Sequence, residues 1–200
     1  MYKERTLQLM HFLAASLGGS VSDVKLMALM YFSERKVLAS YGTLMTYDEF
    51  LSSATGPVLE RVEQIMEAYD DDRFTAVFSQ PVQSVTPEGV SITQLSLKES
   101  VIDLSEENPA FDLMCRADRA CIGGALAIMG PLGDDAVIQY VTDPQHCPEW
   151  SRPAHNGLRT PITPYAIMGH LGFSDGNIQH YEDEIRARKL NHTHPIWGCA

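Results

Sequence analysis

Residues 25–42 read Lys25-Leu26-Met27-Ala28-Leu29-Met30-Tyr31-Phe32-Ser33-Glu34-Arg35-Lys36-Val37-Leu38-Ala39-Ser40-Tyr41-Gly42. Leu26, Met30, Val37 and Tyr41 recur at spacings of four and seven, the period of one helix face. Leu29 and Phe32 lie off that stripe, Phe32 about 240° round from Leu26 at ~100° per residue. A helix that is apolar on more than one side runs through the middle of a fold. Ser20 or Ser22 offers its cap, and Gly42 its stop. The stretch predicts a central helix around which the remaining elements are wrapped.

Upstream, residues 2–17 carry Thr6, Met10, Leu13 and Leu17 near one line and read as a helix stopped by Gly18-Gly19. Downstream, 46–54 suits an extended segment, and Gly56-Pro57-Val58 sits where a helix over 58–69 would open. Proline at a first helical position sacrifices no hydrogen bond, because that amide has no partner inside the helix. The runs 74–79 and 90–97 are rich in β-branched and aromatic residues, and Thr86-Pro87-Glu88-Gly89 between them has turn chemistry. Helices follow over 116–129 and 134–141, split by Gly130-Pro131, then an irregular proline-rich stretch over 144–164. A last helical region covers 165–188 and is interrupted near Gly172. The expected fold class is mainly α (α+β). It is a single-domain helical bundle of about six or seven helices, with a small antiparallel β-hairpin or sheet inserted between the early and late helices at about 45–98. The domain spans 1–189, and an irregular tail occupies 190–200.

Length and composition agree with one domain: 200 residues, 44% hydrophobic and 20% charged, with no low-complexity tract. No run reaches the ~20 apolar residues that a bilayer span needs. The start, Met1-Tyr2-Lys3-Glu4-Arg5, lacks the pattern of a secretory signal, so the expected location is the cytoplasm with no membrane partner. Cys115, Cys121, Cys147 and Cys199 are irregularly spaced and read as reduced thiols. Fifteen Lys and Arg against 26 Asp and Glu give a net charge of -11. That field opposes nucleic acid, including a helix-turn-helix reading of 8–42, and draws in a basic protein partner.

Several motifs fall in a recognisable order. Lys25-Leu26-x-x-Leu29-x-Tyr31 is followed by Leu38-x-x-Tyr41-Gly42, then Gly56-Pro57-Val58, then Pro148-Glu149-Trp150-x-x-Pro153. Pro161-Ile162, Ile167 and Leu171-Gly172 come after the tryptophan. In this order and spacing, over about residues 8 to 187, the chain resembles the Panacea (SocA-like) antitoxin domain family. Ala28 stands where that family often has a second lysine, and 115–119 lacks its usual Leu-Ser helix start. The resemblance implies a helical scaffold with a small β element, found in bacteria and phages. Its implied role is an antitoxin that neutralises a cognate protein toxin, encoded by an adjacent gene, by direct binding. The alternative within the same class is a proteolytic adaptor that delivers the toxin to a host protease; self-association into a homo-oligomer is left open.

Phe32, Glu34, Arg35, His146, Glu149 and Trp150 are the candidate partner-binding residues. Phe32 lies off the core stripe, and Trp150 gives an aromatic anchor in a proline-limited loop. Arg35, one position after Glu34, cannot pair with it from the same helix face. Lys25, Leu26, Leu29, Tyr31, Tyr41, Gly42, Gly56, Pro57 and Val58 are assigned to the scaffold. The rival from another class is a cysteine- or metal-dependent hydrolase, using His146-Cys147 or His192-x-His194 with Cys199. Adjacent side chains point apart in an extended loop, and no CxxC, HExxH or paired carboxylate completes a site. The expectation is a protein with no catalytic residues, no metal and no cofactor.

Overall fold

The computed structural model describes residues 2–68, 71–86, 89–99, 102–154 and 158–193. The first half contains α1 (Tyr2–Ser16), β1 (Ser20–Ser22), α2 (Asp23–Tyr41), β2 (Phe50–Ser53), β3 (Gly56–Leu59), α3 (Glu60–Glu67), α4 (Asp72–Val77), β4 (Val82–Val85) and β5 (Ser91–Ser96). The second contains α5 (Arg116–Met129), α6 (Asp134–Thr142), β6 (Thr160–Ile162), α7 (Pro164–His170) and α8 (Asp175–Thr193). The architecture is mixed α+β and mainly helical, with two small antiparallel sheets.

Every residue of α2 from Leu26 to Glu34 is buried, as expected of a helix apolar on more than one side. Ser22 caps its start by accepting the Lys25 amide. Gly42 ends it at φ 63, donating its amide to the Leu38 carbonyl. Around it pack α1, α5, α6, α7, β3 and β5. The Lys25 ammonium reaches across to the carbonyls of Gly130 (2.6 Å) and Leu132 (2.7 Å), satisfying acceptors at the C-terminal end of α5. Tyr41 departs from the expected stripe: it is 54% exposed, because the helix leaves the core in its last turn.

The β element differs from the expected single insertion. One sheet has the order β1-β5-β4 and the other β3-β2-β6, so β1 and β6 join from outside 45–98. Gly56-Pro57-Val58 opens no helix; it is strand β3, paired with β2 through Ser53↔Gly56 and Ser52↔Pro57. β3 is an edge, where a residue without an N–H leaves no ladder bond unmade. Helix α3 starts after it, at Glu60, and the buried Asp48 carboxylate accepts the amides of Arg61 (3.0 Å) and Val62 (3.3 Å) in place of a local cap.

The run 74–79 is likewise not a strand. Asp71 caps α4 by accepting the Arg73 amide, and Phe74 and Phe78, four residues apart, stack at 4.9 Å inside the core. β4 takes the next residues, and Thr86 accepts the Gly89 amide at 2.9 Å to close the hairpin turn; Pro87 and Glu88 lie outside the described residues. α8 runs on to Thr193, through the start of the tail expected to be irregular, since neither Gly nor Pro occurs over 177–194. Residues 194–200 lie outside the described residues. Among the described residues no single helix is long and apolar enough to cross a membrane.

Candidate functional site

Phe32, Arg35, Lys36 and Ala39 are spaced i, i+3, i+4 and i+7 and so share one face of α2. That face lines an open groove of about 370 Å³, closed on its other sides by Ile128 of α5, Tyr140 of α6, Gln145 and His146 of the following loop, and Leu171. The floor is aromatic. Phe32 lies 5.5 Å from the Tyr140 ring, and His146 stacks on Tyr140 at 4.0 Å and 16°.

One buried carboxylate joins α2 to the loop. Glu149 has no exposed side-chain surface and accepts from Tyr31 Oη at 2.8 Å and Arg35 Nε at 2.8 Å. The Cys147 thiol lies 3.5 Å from the same oxygen. Burial, then the nearby Glu149 charge, pushes this thiol up to about 12, and burial also raises the Tyr31 phenol. Cys147 therefore stays a protonated thiol at neutral pH, which is the wrong state for a nucleophile. Trp150 donates its Nε1–H to the Ser53 carbonyl at 3.1 Å, pinning the loop to β2.

The candidate residues consequently separate. Arg35 and His146 line the groove, and Glu149 stands behind Arg35 as its anchor. Phe32 lines the groove as part of its floor, 5% exposed and packed against Tyr140 of the neighbouring helix. Trp150 is half-buried and bonded to the protein's own sheet. Glu34 has no exposed surface at all. Its carboxyl accepts from the amides of Met45 (2.7 Å) and Thr46 (2.6 Å) and from the Thr46 hydroxyl, which ties down the chain after α2 and rules out direct contact with a partner.

Lys36 is the residue that the sequence reading passed over. It is half-buried, and its ammonium makes no hydrogen bond or ion pair with any described residue. Its stem lies over Gly124 of α5, where an added Cβ would sit 3.0 Å from Lys36 Cε and 3.1 Å from Nζ. Gly124, without a side chain, leaves room for the end of the Lys36 side chain. The usable signal was the helical spacing Phe32–Arg35–Lys36–Ala39, but Gly124, Tyr140 and Leu171 could not have been joined to it by spacing alone.

A second cavity, about 330 Å³, lies beside Asp23, Met27, Ser53, Glu63 and Arg159. Its charges are mixed, and Glu63 and Arg159 already pair with each other. Among the described residues no group of three or more His, Cys, Asp and Glu side chains is placed to hold a metal; His194 and Cys199 lie outside them. Compared with protein-family models, with curated proteins and with solved structures, the chain matches none.

Proposed function

We propose that this protein is an antitoxin that neutralises a cognate protein toxin by direct contact at the α2 groove, and that it is not an enzyme. The observation that carries the reading is the grip of Tyr31 and Arg35 on the buried Glu149, which fixes the 143–150 loop beside the cationic face of α2. Both segments belong to the motifs through which the chain resembles the Panacea antitoxins. A recess whose walls are already held in place binds a partner with little further ordering, so more of the contact energy appears as affinity. The remaining motif residues have scaffold roles: Lys25 satisfies the end of α5, Gly42 ends α2, and Gly56 turns into β3. The protonated Cys147 thiol favours binding over covalent chemistry.

Co-expression with the product of the adjacent reading frame, in cytoplasmic growth assays, tests this reading. The expected result is restored growth by the wild-type chain, in cells lacking the major cytoplasmic proteases as well as in normal cells. Rescue only where a protease is present would make the protein an adaptor. No rescue in either strain contradicts the antitoxin reading.

A further inference from the structure

The groove is an exception to the charge of the molecule. The chain has 26 acidic residues against 15 basic ones, yet among the described residues no Asp or Glu lines this recess, whereas Arg35, Lys36 and His146 do. Two of these already face carboxylates within the fold, Arg35 at Glu149 (2.8 Å) and His146 at Asp143 (3.4 Å). Lys36 faces none among the described residues, and the end of its side chain lies over Gly124. Its stem is partly buried, and an ammonium without a carboxylate partner among the described residues is open to charge-assisted pairing with an anion brought to it. Beside it lie the apolar surfaces of Ile128, 40% exposed, and Leu171.

We propose that the groove takes a peptide segment of the partner in which an Asp or Glu side chain is flanked by apolar residues. The carboxylate meets Lys36, and the apolar neighbours lie on Ile128 and Leu171. This rests on the antitoxin reading for the identity of the partner, but not for the chemistry of the site. The general negative field and this cationic recess then act as two filters. The field draws in a basic partner from a distance, and the groove selects where on that partner the contact forms.

Panning the full chain against a displayed library of random heptapeptides, followed by titration of the enriched peptides, tests the site without any toxin. Enriched peptides should carry Asp or Glu next to Leu, Ile or Phe, and bind Lys36→Glu on the order of tenfold or more weakly than wild type. Gly124→Ala gives a second variant that keeps the helix, because alanine has the higher helix propensity, while its methyl presses on the end of the Lys36 side chain and shifts it by a few tenths of an ångström. It should weaken the same peptides, with the melting temperature unchanged or raised. Enriched peptides without a carboxylate, or affinities that both variants leave intact, would overturn the proposal. Displacement of the peptides by sodium acetate at the peptides' own dissociation constants would also overturn it, since the ligand would then be a free anion. Peptide binding without growth rescue leaves the groove standing and removes the antitoxin reading. Growth rescue that Lys36→Glu does not affect, with no acidic peptide enriched, does the reverse.

Discussion

Glu34 holds the chain that leaves α2 with a carboxyl group that has no contact with solvent. Burial lifts its pKa from the ordinary 4.5 to about 7, against the opposing pull of the hydrogen bonds from Thr46 and Met45. Between those two values the folded protein keeps a proton that the unfolded chain has released. This contribution to stability is therefore complete below 4.5 and is lost as pH rises through about 7, at roughly 1.4 kcal/mol for each pH step of one between the two values. Glu34→Gln should cost about 1–3 kcal/mol at pH 5, because an amide NH2 would face an N–H donor. The gap from wild type should narrow by pH 8, read as urea midpoints of the two proteins. Asp23 and Asp48, also raised by burial, are common to both and cancel. A gap that widens toward pH 8 would show that the ionised carboxylate is the form that holds the loop. Cys147 is testable in the same way: its protonated, buried thiol should resist iodoacetamide at pH 8 in the native protein while the exposed Cys115 is labelled, as mass mapping would record.

At the scale of elements, legibility followed how far each signal was local. The helices α2, α5 and α6 are readable because their signals are local: apolar periodicity along α2, glycine stops at Gly42 and Gly130 for α2 and α5, and the Gly130-Pro131 break that separates α5 from α6. Gly56-Pro57-Val58 was misread because its conformation is set by a partner strand, and Phe74 to Val77 because composition was weighed above the i, i+4 spacing of Phe74 and Phe78. Strands β1 and β6 are three residues each, too short to show a period, and exist through their partners β5 and β2. Gly56 shows the coupling directly. Its φ is 133, and an added Cβ would collide with Cγ2 of Val141 on α6. Gly56→Ala should lower stability by about 1–3 kcal/mol in thermal or urea unfolding. In the Val141→Ala background, itself weakened by the loss of a buried side chain, the cost of Gly56→Ala should shrink only in part, since the collision is relieved and the backbone strain is not. A cost that vanishes there would mean that packing alone demands the glycine.

For the whole molecule, net charge and length bounded the class of protein, and the ordered motifs carried the resemblance, but the groove was visible only in part. Phe32, Arg35 and His146, candidates from the sequence, line it, while Glu34, which falls near the apolar stripe, and Trp150 of the proline-limited loop are held in the protein's own packing. Exposure of an aromatic or charged side chain depends on which distant helix covers it, and four separate segments meet at this recess. The central claim is that a protein partner docks there. It is tested most directly by calorimetric titration of the purified chain with the product of the adjacent reading frame, comparing wild type with Lys36→Glu. Wild type should form a complex, and Lys36→Glu, at an unchanged melting temperature, should bind about tenfold or more weakly. Equal affinity for the two chains, or no complex with wild type, would contradict the claim.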